Sequence, residues 1–134
     1  MRVLIDTNVI LDVLFAREPF LPDSVAVLHM CEEGFAEGLV TVKSLADIYY
    51  FLRRHLKSEA KARLALSRIA DMLTVCDVSS GDFTEAMSMD NDDFEDALLA
   101  ACARRMQCAL VVTRNTRHFR GTGIRAVAPE DFVL

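Results

Sequence analysis

The sequence predicts an α/β fold, a three-layer α/β/α sandwich around a central, mainly parallel sheet. Short apolar runs of strand type, such as RVLI at 2–5 and LVTV at 39–42, alternate with longer stretches of helical periodicity. Strands separated by helices pair in parallel and place helices on both faces of the sheet. Because no internal repeat, low-complexity segment or linker interrupts this pattern, we expect a single domain over residues 1–134.

The N-terminal half predicts the first two strands and four helices. Thr7 or Asn8 can cap the helix that follows RVLI, and Ser44 is the expected cap of the helix that follows LVTV. Phe51 is counted among the core-facing apolar residues of that later helix. The four predicted helices begin close to Val9, Asp23, Ser44 and Ser58.

The C-terminal half continues the alternation and ends in two short helical turns. The predicted elements are a strand at 74–78, a brief helix at 82–88, a helix at 92–106, a strand at 109–113, a helical turn at 117–119, a strand at 124–127 and a final turn led by Pro129.

Composition and cysteine usage indicate a soluble cytoplasmic protein. Hydrophobic residues make up 52% of the chain and charged residues 26%, which is typical of a globular domain. Asp6 and Asp12 interrupt the apolar stretch at the N-terminus, which argues against a signal peptide or a membrane span. The four cysteines lack CxxC spacing, so they are expected to be reduced thiols.

The net charge of −5 argues against a protein that holds nucleic acid by bulk electrostatics. It leaves open an enzyme that acts on nucleic acid through a metal site. A cluster of carboxylates lowers the net charge, and a bound divalent cation then presents positive charge locally. The positions of the acids therefore matter more than their sum.

Acidic and amide side chains follow several of the predicted strands. Asp6 comes directly after the first strand, Asp47 lies early in the helix after the second, and Asn115 follows VVT at 111–113. Asp93 and Asp96 lie three residues apart at the start of the alanine-rich helix. Because ligands bind outside the carboxyl ends of parallel strands, these side chains can converge on one site.

Such a cluster suits a divalent metal and phosphodiester hydrolysis. Neighbouring carboxylates repel one another unless a cation is shared, and Mg²⁺ or Mn²⁺ prefers oxygen ligands. Each acid also has an ordinary structural role. Asp6 alone is as well explained as a helix cap, and Asp47 as a first-turn acid that interacts with the helix dipole.

Three segments together resemble a PIN domain, the fold of many bacterial toxin ribonucleases of the VapC type. They are LIDTNVILDVL at 4–14, DFEDALLAACA at 93–103 and VVTRNTRHF at 111–119. The resemblance makes Asp6 and Asp96 metal-binding acids, with Asp93 as their neighbour. Asp47 falls where the family usually has a glutamate, and Asn115 falls where it commonly has its last acid.

The resemblance implies a Mg²⁺- or Mn²⁺-dependent endoribonuclease that leaves a 5′-phosphate. It also implies a homodimer that is restrained by an antitoxin peptide. Asn115 in place of an acid keeps an oxygen ligand but removes a charge. Arg114 and Arg117 adjoin the proposed site and are the best candidates to bind the RNA substrate.

Three competing classes can be compared on single residues. A haloacid-dehalogenase phosphatase needs a second acid two residues after Asp6, where this chain has Asn8. A response-regulator receiver needs a lysine after a late strand, where this chain has Thr113 and Arg114. The remaining alternative is a non-catalytic PIN-like module that binds nucleic acid or a protein partner, in which Asn115 and Asp47 mark a lost metal site.

Overall fold

Five parallel strands form the centre of the computed structural model, which describes residues 1–132. The strands are β1 Arg2–Ile5, β2 Glu37–Thr41, β3 Thr74–Cys76, β4 Leu110–Val112 and β5 Arg125–Val127. They are ordered β3-β2-β1-β4-β5, and all four pairings are parallel. The predicted α/β class and parallel sheet are confirmed. Residues 133 and 134 of the predicted domain lie outside the described residues.

Helices cover both faces of this sheet. They are α1 Thr7–Leu14, α2 Leu21–Glu32, α3 Val42–Leu56, α4 Glu59–Met72, α5 Ser80–Ser88 and α6 Phe94–Arg105, followed by 3₁₀ turns at Thr116–Phe119 and Pro129–Asp131.

The two layers follow from the alternation of side chains along each strand. Val3 and Ile5 of β1 pack into a core with residues of α1, α2, α3 and α4, whereas Leu4 packs on the other face against α6. Ala100 and Ala103 are completely buried there, because small side chains let α6 approach the sheet closely. α5 packs along α6 in the same layer.

Two of the predicted helix caps are wrong. Asp6 caps α1, since it has extended backbone angles and its carboxylate accepts the Thr7 backbone N–H. Thr41, the last residue of β2, caps α3 and accepts the N–H of Ser44, so the cap lies three residues earlier than predicted. In both cases the residue at the strand end turns the chain and supplies the capping oxygen itself.

The predicted core position of Phe51 is also wrong. Ile48 and Leu52 are the buried side chains of the core-facing side of α3. At about 100° per residue, Phe51 lies about 60° from Ile48, at the edge of the core-facing side, and 41% of its surface is exposed.

The chain reverses its direction of travel across the sheet beside β1. From the central β1 it proceeds outward to β2 and β3, and then returns to the other side of β1 as β4 and β5. The carboxyl ends of β1 and β4 therefore form a topological switch point, where open parallel sheets bind their ligands. The Asp6 backbone N–H donates to the Val112 carbonyl at 3.0 Å, which fixes the two strand ends side by side.

Candidate functional site

An open cavity of about 520 Å³ lies at this switch point. Its walls come from α1, α3 and α6 and from the segment after β4. All five side chains that the sequence predicts as catalytic or metal-binding line it, namely Asp6, Asp47, Asp93, Asp96 and Asn115.

Asp6 is the deepest carboxylate of the cavity. Only 8% of the residue is exposed. One carboxylate oxygen accepts the Thr7 N–H at 2.7 Å and the other accepts the Thr113 hydroxyl at 2.7 Å. Burial raises the pKa of Asp6, and these two hydrogen bonds oppose that increase. Asp6 is therefore both a helix cap and a site residue, because its cap bond uses only one of its oxygens.

Asn8 fixes Asp6 against the end of β4. Its amide nitrogen donates to the Asp6 carboxylate and to the Thr113 hydroxyl oxygen, each at 3.3 Å. Its amide oxygen accepts the Arg114 backbone N–H at 3.2 Å. Asn8 is thus a bridge between the two strand ends, a role different from the predicted cap.

Asp93 and Asp96 project from the first turn of α6. Asp93 is the N-cap and accepts the Asp96 N–H at 3.1 Å, which orients the two carboxylates toward the same side. The Nδ1 atom of His118, on the 3₁₀ turn after β4, lies 2.9 Å from an Asp96 oxygen and 3.8 Å from an Asp93 oxygen. The site is therefore assembled from elements that are distant in sequence.

Burial and neighbouring negative charges both disfavour the ionised form of Asp96. Burial and the neighbouring charges of Asp6 and Asp93 raise its pKa to about 6, against the opposing effect of His118. Two carboxylates with raised pKa values share one cavity, and a bound cation would relieve the repulsion between them.

The donor set fits a divalent metal ion. Asp93, Asp96 and His118 each offer one ligand atom, and these atoms lie within 4.8 Å of one another. Carboxylate oxygens together with one imidazole nitrogen are suitable ligands for Mn²⁺. Mg²⁺ also suits this set when water molecules complete its coordination shell. Asp6 faces the same cavity and adds a further carboxylate.

Asn91 clamps the two loops that carry this donor set. Its amide nitrogen donates to the backbone carbonyls of His118 at 2.6 Å and Arg120 at 2.8 Å, and its amide oxygen accepts the Asp93 N–H at 2.7 Å. Gly121 has a positive φ of +77°, and a Cβ there would lie 2.1 Å from the Asp90 carbonyl oxygen. The loop before α6 and the 3₁₀ turn are therefore in direct contact.

Asp47 and Asn115 occupy the rim of the cavity. The Asp47 side chain is 47% exposed and forms an ion pair with Lys43 at 2.7 Å, which raises the pKa of Lys43. The Asn115 backbone N–H donates to the Thr113 hydroxyl oxygen at 3.0 Å. Asp47 is thus neutralised by a cation of its own helix, whereas the acids at the base of the cavity are not.

The two predicted substrate-binding arginines lie outside the cavity lining. Arg114 forms two bonds to the completely buried Asp12, at 2.5 and 3.2 Å, and its guanidinium stacks over Phe20. Arg117 lines a second cavity, which shares Asp93 and His118 with the first. The geometry gives Arg114 a structural role, because Asp12 requires a cationic partner.

Sequence reasoning missed several residues of the site. His118 is absent from the predicted site residues, although its position in VVTRNTRHF, three residues after Asn115, is a usable signal. Lys43, Tyr50 and Phe51 also line the cavity. Their placement depends on the rotation of α3, which the misplaced Ser44 cap and the core assignment of Phe51 obscured.

Fold and site together define an α/β protein with an acidic centre at the switch point of a parallel sheet. The family model described as PIN domain matches residues 2–117. The chain therefore belongs to the PIN domain family. A comparison with curated proteins finds no match.

Solved structures share this fold along nearly the whole chain. One match is VapBC2 from Rickettsia felis, whose structure was solved bound to a DNA fragment from the VapBC2 promoter. It has a TM-score of 0.72 at 16% identity, over 96% of this chain and 98% of that one. A toxin-antitoxin complex from Klebsiella pneumoniae matches with a TM-score of 0.71 at 19% identity, over 97% of this chain and 99% of that one.

A third match covers less of each chain. VapC20 from Mycobacterium tuberculosis, a sarcin-ricin loop cleaving toxin, matches with a TM-score of 0.61 at 16% identity, over 81% of this chain and 86% of that one. These likenesses establish the fold. Within residues 1–132, no helix is both long enough and apolar enough to cross a membrane.

Proposed function

We propose that this protein is a divalent-metal-dependent endoribonuclease that hydrolyses RNA phosphodiester bonds. Membership of the PIN domain family supports a nuclease. The observation that carries the proposal is the convergence of Asp6, Asp93, Asp96 and His118 in one open cavity at the switch point. The raised pKa values of Asp6 and Asp96 are typical of acids arranged for a functional cation.

Asp6, Asp93 and Asp96 are the proposed metal-binding carboxylates, with His118 and the amide oxygen of Asn115 as further donors. A bound Mg²⁺ or Mn²⁺ supplies Lewis-acid stabilisation of phosphate charge and activation of water. Thr113 and Asn8 hold the Asp6 carboxylate in place through their hydrogen bonds. Their contribution is preorganisation, because Asp6 then needs no reorientation during catalysis.

The residues at the rim are proposed to handle the substrate. Lys43 lines the cavity and remains protonated, since its hydrogen bond to Asp47 raises its pKa. It can exchange Asp47 for a substrate phosphate at little electrostatic cost, because both are exposed anionic partners. Asp47, predicted as a catalytic acid, then sets the position of Lys43 in the absence of RNA.

We further propose that the protein is the toxin of a toxin-antitoxin pair and acts in the cytoplasm. Two of the structural relatives are toxin-antitoxin complexes, and another is a toxin that cleaves the sarcin-ricin loop. A separate antitoxin polypeptide would restrain the activity. As in the sequence-based expectation, the toxin itself would be a homodimer.

The test compares RNA cleavage by the wild type and by Asp6→Asn and Asp96→Asn variants, with Mg²⁺, with Mn²⁺ and with EDTA. We expect cleavage by the wild type with either metal, none in EDTA and a loss of at least 100-fold in each variant. Asp92→Asn, which removes an exposed charge from the same loop, is the matched control and should cleave normally. Cleavage that survives both site substitutions would contradict the assignment.

The same experiment addresses the non-catalytic alternative. A wild type that binds RNA without cleaving it, and that fails to bind Mn²⁺, would identify a PIN-like binding module. Asn115→Asp adds a sharper comparison, because it restores a carboxylate at the cavity rim. We expect this variant to bind Mn²⁺ more tightly than the wild type, since it adds a negative ligand.

A further inference from the structure

Two aromatic side chains of α3 lie exposed at the mouth of the cavity. Tyr50 is 55% exposed and Phe51 is 41% exposed, and both line the cavity that holds Asp6 and Asp96. Their ring centroids are 5.9 Å apart and their planes meet at 78°. The two rings therefore pack edge to face and form a continuous aromatic surface beside the acidic centre.

Core packing does not account for this surface. The segment YYF at 49–51 contains three consecutive aromatic residues, and of these Tyr49 packs against the core beside Ile48 and Leu52. Tyr50 projects from the opposite side of the helix and Phe51 from the edge of the core-facing side, and neither belongs to the core cluster. Their apolar rings remain in contact with solvent, in the region where the proposed substrate must enter.

Positive charges lie at both ends of the aromatic surface. Lys43, Phe51 and Arg54 follow one another at helical spacing, and the helix between Lys43 and Arg54 is about 16 Å long. Lys43 lines the cavity, and the Arg54 guanidinium lies 5.5 Å from the centroid of the Tyr50 ring. Rings between cations are the arrangement that binds single-stranded nucleic acid, because bases stack on the rings while cations contact the phosphates.

We propose that Tyr50 and Phe51 stack on unpaired bases of the RNA substrate, as residues that determine specificity for single strands. The inference rests on the proposed ribonuclease function and deepens it by naming the residues that hold the bases. The strand passes along α3 from Arg54 to Lys43 and delivers a phosphate to the acidic centre. A duplex keeps its bases inside the helix and cannot offer them to these rings.

The experiment measures base stacking without cleavage. A single-stranded RNA that contains 2-aminopurine is titrated in EDTA with the wild type, with Tyr50→Ala/Phe51→Ala, with Tyr50→Leu/Phe51→Leu and with Phe35→Ala. Phe35 is 69% exposed and lies outside the cavity lining, so it is the matched control. The wild type and the control should quench the fluorescence equally, and each lost ring should weaken binding roughly 5- to 100-fold.

The leucine variant separates stacking from apolar contact, because leucine keeps apolar area and lacks a π face. Wild-type quenching by that variant, no quenching by the wild type, or equal affinity for a duplex of the same sequence would overturn the inference. Light scattering measures the oligomeric state of the same variants. A changed oligomeric state at unchanged quenching would assign the rings to an interface between copies of this chain.

Cleavage with Mn²⁺ is measured in parallel, so that failure of the ribonuclease proposal can be distinguished from failure of the stacking proposal. Quenching by a wild type that does not cleave would contradict the proposed ribonuclease and leave the stacking surface. Cleavage of RNA, with quenching unaffected in both double variants, would support the ribonuclease and overturn the stacking surface.

Discussion

The ionised carboxylate of Asp96 destabilises the folded protein at neutral pH. It is partly buried at the start of α6, and burial and the charges of Asp6 and Asp93 raise its pKa to about 6. A carboxylate with a folded-state pKa above its unfolded value favours the folded state at low pH. That contribution is fully present below about pH 3.8 and is lost as the pH rises to about 6.

Replacement of Asp96 by asparagine should therefore stabilise the metal-free protein at neutral pH. The variant removes an ionised carboxylate that burial and the charges of Asp6 and Asp93 disfavour, so we expect the free energy of unfolding at pH 7.5 to rise by roughly 1–2 kcal/mol. At pH 5 the gain should be about half as large, because folded Asp96 then holds a proton that the unfolded chain has lost, and it should vanish only below about pH 3.8. Urea unfolding in EDTA at the two pH values measures both numbers. Equal effects at pH 5 and pH 7.5 would contradict the electrostatic explanation.

Arg114 illustrates how an adjacent charge can belong to the fold rather than to the site. Its guanidinium neutralises Asp12, which is completely buried, while Arg17 approaches the same carboxylate only to 3.8 Å. Arg114→Ala should lower the free energy of unfolding by about 2–4 kcal/mol, because it leaves a buried charge without its nearest partner. The exposed Arg117→Ala should change it by less than about 0.5 kcal/mol.

A double variant tests the cause of that loss. Asp12→Asn in the Arg114→Ala background should recover part of the stability, since the unpaired charge is removed. If Arg114→Ala keeps the wild-type stability and weakens RNA binding instead, then the substrate-binding role predicted from the sequence is the correct one.

Among the elements, α6 and the 3₁₀ turn after β4 form the site only because their loops are clamped together. Asn91 uses both ends of its side-chain amide for this, with bonds to the Asp93 N–H and to the carbonyls of His118 and Arg120. It contributes no atom to the acidic cluster itself. Asn91 is thus a positioning residue of the proposed metal centre.

Asn91→Ala should weaken Mn²⁺ binding by about 10-fold or more, a size typical of supporting residues around metal ligands. The reason is that Asp93 and His118 lose their fixed separation while every ligand is retained. Calorimetric titration with Mn²⁺ measures the affinity, and Asp92→Ala serves as a control from the same loop. Wild-type Mn²⁺ affinity in a variant with a lowered melting temperature would show that the clamp is only structural.

The sequence predicts the elements well because their signals are local. Alternating apolar runs and helical periodicity give the strands and helices to within a few residues. The carboxyl ends of β1 and β4 bring Asp6 and Asn115 together, and the first turn of α6 adds Asp96. His118 and Asn91 depend on contacts between segments about 27 residues apart in sequence. Nothing in local periodicity encodes such contacts, and the same is true of the Arg114–Asp12 pair.

At the scale of the whole molecule, the site couples the two halves of the sheet. Asp6 follows the central strand β1, whereas Thr113 follows β4 across the switch point, and their hydrogen bond at 2.7 Å joins the two. Asp93 and Asp96 belong to the helix that covers the opposite face from α1. A cation held by these residues would tie both helical layers to the sheet and would bind only the folded chain.

Mn²⁺ should therefore stabilise the entire protein against thermal unfolding. A ligand that binds only the folded state adds about 2.7 kcal/mol at a hundredfold excess over its Kd, which is equivalent to several degrees in Tm. The shift should be smaller at pH 5 than at pH 7.5, because protons compete for Asp96, whose pKa is about 6. EDTA should reverse it, and Asp6→Asn and Asp96→Asn should lack it while Asp92→Asn retains it. An equal Mn²⁺ shift in all three variants would place the cation elsewhere on the molecule and contradict a metal centre at the switch point.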